Sequence, residues 1–198
     1  MIESNVEILI VRSDDDFAGM KQVRQSVFVQ EHHIPAEKEF DGNDYCATHI
    51  LAKVDGRPAG TMRIRYFSDF VKFERMAVLK EFRKTDLSDR IMNKGFDFVS
   101  RKGFTMVYGE CKKELLERWK ACGYEQVEGA PQAEQNGMIL IPIMRRLPRN
   151  SHAVTITMHP EVLNAREDEW EKESWNVLKK QKVGVLLAGK KMVSANHN

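Results

Sequence analysis

The stretch VKFERMAVLKEFRKTDLSDRIMNKGFDFVSRKG (71–103) joins a strand to an amphipathic helix across a polar turn without glycine. Leu87, Ile91, Gly95, Phe98 and Val99 fall at helical spacing, so this helix needs an apolar surface to lie on. That surface is supplied just upstream. THILAKVDGRPAGTMRIRYF (48–67) reads as two strands joined at Asp55-Gly56, a dipeptide suited to a two-residue hairpin turn. Three successive strands followed by a covering helix specify a sheet-and-helix domain.

The flanking segments extend the pattern. VEILIVR (6–12) is an apolar strand, and Asp14–Asp16 cap a helix carrying Phe17, Met20, Arg24, Val27 and Phe28. Residues 29–45 are polar and turn-rich, with room for one short helical turn. FTMVYGE is a buried-type strand. Leu115, Leu116, Trp119 and Cys122 stripe a helix that ends at Gly123. YEQVEG and GMILIPIMRR form two last strands. The order β-α-β-β-β-α-β-α-β-β predicts an α/β fold with a mixed, mostly antiparallel central sheet flanked by helices. Two regions are expected: a domain over 1–147, and an extension over 148–198 whose helix opens at Pro160 and ends basic and frayed.

The net charge of +2 argues against nucleic acid as a partner. Three cysteines without CxxC spacing favour a reduced protein over a disulfide framework or zinc site. No apolar run approaches the roughly 18 residues of a membrane span, and the first residues lack a basic n-region. A cytoplasmic protein is expected. The histidines lack metal-ligand spacing, so no metal is expected.

RMAVLKEFR (75–83) before an amphipathic helix, together with WKACGYE (119–125), resembles the GCN5-related N-acetyltransferase (GNAT) superfamily. The likeness covers about residues 6–147. Arg24, Phe28, Glu39, Asp41, Asp44 and His49, within VRQSVFVQEHHIPAEKEFDGNDYCATHILA, are similar to a pattern in a bacterial acetyltransferase branch and, more loosely, in acyl-homoserine-lactone synthases. The resemblance implies transfer of an acyl group from a pantetheine thioester to an amine.

Such a reaction needs an anion site, a carbonyl-polarising group and a proton acceptor. Orphan amides and the helix dipole make the start of the 87–101 helix an anion site whatever its side chains. The resemblance places Arg83, Lys84, Thr85, Leu87 and Ser88 around coenzyme A phosphates. It also assigns the main chain of Met76, Ala77 and Val78 to the thioester and pantetheine. Two glycines of the family's loop are replaced here by Asp86 and Ser88. The bland reading of Asp86 is a solvent-facing helix cap.

Strand alternation puts Glu74 with Met76 and Val78, opposite Phe73, Arg75 and Ala77. Glu74 is the first candidate base and Glu110, at the end of the next strand, the second. Ion pairing with neighbouring strands accounts equally for Glu74 and Arg75. Cys111 reads as a buried structural thiol. Arg24, Phe28, Glu39, Asp41, Asp44 and His49 form the expected substrate wall, with Arg24 paired to Asp41 or Asp44. Many members of the superfamily carry a tyrosine, acting as general acid, where Trp119 stands; tryptophan offers only a feebly acidic N–H.

The donor is acyl-CoA or an acyl carrier protein, the latter lacking the ADP pyrophosphate and suiting a glycine-free loop. The late lysines of the extension suit an acidic carrier protein, and helix stability alone also explains them. The acceptor is a small-molecule amine. A homodimer and a catalytically silent binding module stay open.

Overall fold

The computed structural model describes residues 5–135 and 137–170. Its strands are β1 (Val6–Ile10), β2 (Thr48–Val54), β3 (Arg57–Tyr66), β4 (Val71–Val78), β5 (Met106–Lys112), β6 (Glu125–Gln126), β7 (Ala133–Gln135) and β8 (Met138–Arg146). They form one sheet in the order β1-β2-β3-β4-β5-β8-β6, with β7 pairing to β8. All pairings are antiparallel except β4 with β5. The expected mixed, mostly antiparallel α/β fold is therefore what forms. The short strand β7 was not anticipated: three residues beside Leu140 to Met138 give a period-2 signal little room.

The β2–β3 hairpin turns at Asp55 and Gly56, both at positive φ (51° and 78°), as a two-residue turn requires. Helix α1 (Asp14–Arg24) is capped by Ser13, whose Oγ accepts the Asp16 N–H at 3.1 Å. The capping residue is thus one earlier than the aspartates expected. α1 runs into a π-helical segment, Gln25–Glu31. A four-residue helix α2 (Ala36–Glu39) and a 3₁₀ turn (Asn43–Cys46) occupy the polar loop.

Helix α3 (Leu87–Arg101) covers the other face, burying Leu87, Ile91, Phe98 and Val99. Gly95 permits its close approach: a Cβ there would meet the Phe73 ring at 3.0 Å. Helix α4 is Leu116–Ala121. The chain divides into two compact units after Asn150. In the second, helix α5 (Pro160–Asn164) opens at the expected proline. The expected basic end, Lys179 to Lys182, lies outside the described residues. Among the described residues no helix is long and apolar enough to cross a membrane.

Candidate active site

The parallel β4–β5 pair contains only Val71–Val107 and Lys72–Tyr108. Beyond them β4 stays on β3 while β5 stays on β8. The two central strands therefore splay apart, leaving the β5-facing main-chain edge of residues 73–78 without a strand beside it. The expected donor-binding residues Met76, Ala77 and Val78 lie on this edge.

A bulge in β4 sets what surrounds the splay. Thr61 pairs with Ala77 but Arg63 pairs with Glu74, so β4 carries one extra residue. Arg75 adopts φ 53°, uncommon for a side chain of its size. The simple alternation thus fails here. Arg75 turns to the same side as Glu74, where its Nε lies 2.9 Å from Glu39 Oε2 and its Nη2 donates to the Lys38 carbonyl at 3.2 Å. Ala77, past the bulge, packs on Val23 and Val27 with Phe28 beside them. Phe28 thus lies under the donor strand, in the apolar layer.

On this face ion pairs run continuously from α1 to β5. Buried Arg24 donates to Glu39 Oε1 at 2.6 Å, to the Glu39 carbonyl at 2.7 Å and to Asp44 Oδ1 at 2.5 Å. Arg63, 1% exposed, donates to both Asp41 oxygens at 2.7 and 2.9 Å, to Asp44 Oδ1 at 2.9 Å and to Glu74 Oε1 at 2.9 Å. Arg24 therefore pairs with Asp44 and Glu39, whereas Asp41 belongs to Arg63. Burial works to raise the Asp41 and Asp44 carboxyls. Hydrogen bonds from Arg63 and Asn43 to Asp41, and from Arg24 and Arg63 to Asp44, outweigh it and hold both below the usual range. Glu39 goes the other way, pushed up by burial despite Arg75 and Arg24.

His49 closes this cluster. Its Nε2–H donates to the Asp44 carbonyl at 3.0 Å, and Nδ1 is buried with no hydrogen-bond partner. Burial pulls its pKa below the ordinary histidine value, consistent with a neutral ring. Glu39, Asp41 and Asp44 are thus committed to arginines, not held open as an acidic wall for a cation. Sequence reasoning missed Arg63 and set Arg75 on the opposite face from Glu74. The available signal was the RIR of β3, which hairpin register sets against KFE of β4.

At the apex of the splay Lys72 Nζ stands 2.9 Å from Glu110 Oε2 and 3.6 Å from Glu74 Oε2. It joins the two candidate bases. Glu74 is 10% exposed and its Oε1 is occupied by Arg63; Glu110 is 23% exposed, and its Oε1 accepts the Tyr108 O–H at 3.2 Å. Burial, then the Glu110 charge, pushes the Tyr108 phenol up to about 12.

The turn before α3 departs from expectation in two ways. Arg83 donates to both Glu31 oxygens and to the Val78 carbonyl, so its charge is already paired. Asp86 occupies the cap position but its side chain makes no capping bond, and it is exposed. Thr85 Oγ1 accepts the Leu87 N–H instead, at 3.3 Å. Lys84 is exposed and Ser88 half-buried, while Leu87 is buried and its N–H is taken by Thr85. Trp119 packs edge-on against Tyr124, with ring centroids 5.2 Å apart, as a packing residue. Cys111 is buried, its thiol pushed up by that burial.

The profile of the acetyltransferase (GNAT) family matches residues 11–124. YyaT of Bacillus subtilis (strain 168) is 31% identical over 118 residues, 58% of this chain and 80% of that one. The fold is similar to an acyl-CoA N-acyltransferase from Pseudomonas aeruginosa (TM-score 0.64, 20% identity, 71% of this chain and 99% of that one). It is also similar to the CoA-dependent acyl-homoserine lactone synthase BjaI with SAM and isopentyl-CoA (TM-score 0.62, 17% identity, 73% and 85%). The splayed strands, the helix start beyond them and the profile match agree: this chain is an acyltransferase belonging to the acetyltransferase (GNAT) family.

Proposed function

We propose that the protein moves an acyl group from acyl-CoA to a small-molecule amine, by direct attack in the β4–β5 splay. The observation that carries this reading is the splay apex, where Lys72 bridges Glu74 and Glu110 beside an unpaired strand edge. The pantetheine arm extends β4 by main-chain hydrogen bonds to residues 76–78, and the phosphates meet the first-turn amides of α3. Thr85 caps the Leu87 N–H but Asp86 makes no bond to the amides that follow it, which favours CoA over a carrier protein.

The amine nitrogen attacks the thioester carbon, and a main-chain N–H of β4 holds the developing oxyanion. Glu110 takes the amine proton. The C–S bond then breaks, the amide leaves neutral, and protonated Glu110 returns its proton to the thiolate. A thiolate is a good enough leaving group that Trp119 need contribute no acid. Lys72 holds the Glu110 carboxylate in position through their ion pair, and Glu74 holds Lys72 and Arg63 in place. Glu110 is preferred to Glu74 as base because it is the more exposed and has no arginine on it.

Calorimetry with acetyl-CoA, longer acyl-CoAs and acyl carrier protein tests the donor. A CoA thioester at a hundredfold excess over its Kd stabilises the fold by about 2.7 kcal/mol. Binding of the carrier protein alone would overturn the CoA assignment.

A further inference from the structure

Arg65 stands apart from the other cations of this face. Arg24 and Arg63 are saturated by carboxylates, and Lys72 sits on Glu110. Arg65 is 30% exposed and its nearest carboxylate, Glu74, is 3.9 Å from its Nε, beyond hydrogen-bond reach. Its guanidinium lies over the Phe67 ring at 5.3 Å, and that ring stacks on Phe70 at 4.7 Å. The planar group is thus held in position, and among the described residues its N–H groups make no hydrogen bond shorter than the 3.9 Å approach to Glu74.

Its place in the sheet sharpens the point. Arg65 is the cross-strand partner of Lys72, and like charges directly opposite on one face destabilise a sheet. Glu110 and Glu74 compensate Lys72 at closer range, whereas among the described residues Arg65 has only the 3.9 Å pairing to Glu74. A positioned, unsatisfied guanidinium is suited to paired hydrogen bonds with a carboxylate. Glu74 lies 3.9 Å from it, and Glu110 stands beyond Lys72 at the apex. The pattern, cationic at Arg65 and anionic at the apex, is complementary to a zwitterion.

We propose that Arg65 is the carboxylate-recognising residue of the acceptor site, so that the acceptor is an amine carrying its own carboxylate, an amino-acid-like molecule. This rests on the acyl-transfer reading above and names its substrate class. The carboxylate meets Arg65 while the amino group is directed toward Glu74 and Glu110; the ammonium loses one proton to water before attack, and Glu110 takes the second as the amide forms.

The test compares kcat/KM for amino acids and for their carboxamides, with acetyl-CoA, in wild type, Arg65→Gln and Arg65→Lys. Wild type should prefer the carboxylates about 10- to 100-fold, the span of hydrogen bonds to a charged group. That ratio should fall to near one in Arg65→Gln and lie between in Arg65→Lys, which keeps charge but loses the fork. An unchanged ratio in Arg65→Gln, or no preference in wild type, overturns the assignment. So does an Arg65-dependent preference for dicarboxylic acyl thioesters, since the anion would then belong to the donor. Should wild type form no amide with any amine, the acyl-transfer reading fails by itself. Calorimetric titration with amino acids then judges the subsite: binding lost in Arg65→Gln supports it, and equal heats overturn it.

Discussion

Arg83 donates both terminal nitrogens to the Glu31 carboxylate, at 2.7 and 2.6 Å, and its Nε to the Val78 carbonyl at 2.9 Å. It thereby ties the turn before α3 to the end of the π-helical segment. Glu31 is a negative charge held beside the expected phosphate site, and its own carboxyl is lowered chiefly by the hydrogen bond from Arg83. Glu31→Gln should release Arg83 toward the phosphates and tighten coenzyme A binding a few-fold. The gain should shrink at high salt, because both groups are exposed. Calorimetry at two salt concentrations reads it; weaker binding in the variant would mean the Glu31 tie shapes the loop productively.

Asp86 sets a second expectation. An exposed carboxylate that makes no capping bond opposes a phosphate only weakly. Restoring glycine with Asp86→Gly/Ser88→Gly should tighten coenzyme A by about 1 kcal/mol or less, the interaction of two charges 4 Å apart in bulk water. A gain of several kcal/mol would show that the carboxylate turns into the site when ligand binds.

Arg63 gives the largest stability effect. It is buried and pairs with Asp41, Asp44 and Glu74 at once. Removing one partner of a buried ion-pair network costs about 3–5 kcal/mol, because the remaining charges stay desolvated. Arg63→Met should lower unfolding stability in urea by that amount. A loss below about 1 kcal/mol would place the cluster in solvent.

The pH dependence of stability should have two stages. His49 is lowered by burial, so the unfolded chain takes up a proton first; stability is full above about pH 6.5 and declines below it. Asp41 and Asp44 are depressed, so their contribution is present above about pH 4 and lost as pH falls through their folded values. Glu39, raised by burial, has the opposite sign and contributes at low pH, partly offsetting that loss. His49→Gln should flatten the melting temperature between about pH 6.5 and 5. An undiminished slope there would assign the titration to other groups.

The sheet and its helices were legible because period-2 and period-3.6 patterns depend on local spacing. The Asp55-Gly56 turn and the α3 stripe needed only their own residues. The bulge at Arg75 was not legible: a one-residue slip arises from strand pairing, and it reversed the face assigned to Arg75. For the same reason Arg24 was visible but its division of partners with Arg63 was not. Lys72 and Arg65 gained meaning only when hairpin register set them opposite one another. Asp86 had the right residue type for a cap, yet Thr85 makes the bond.

Isotopically labelled acetyl-CoA, incubated with a panel of amines and followed by mass spectrometry, tests the central claim most directly. Wild type should form one labelled amide per thiol released. Glu110→Gln, whose partner Lys72 remains in place, should slow this by roughly 10²–10⁴-fold in kcat with little change in CoA affinity. Unimpaired amide formation by Glu110→Gln would remove that carboxylate from the proton path. Tight CoA binding with no amide from any amine would contradict the account itself.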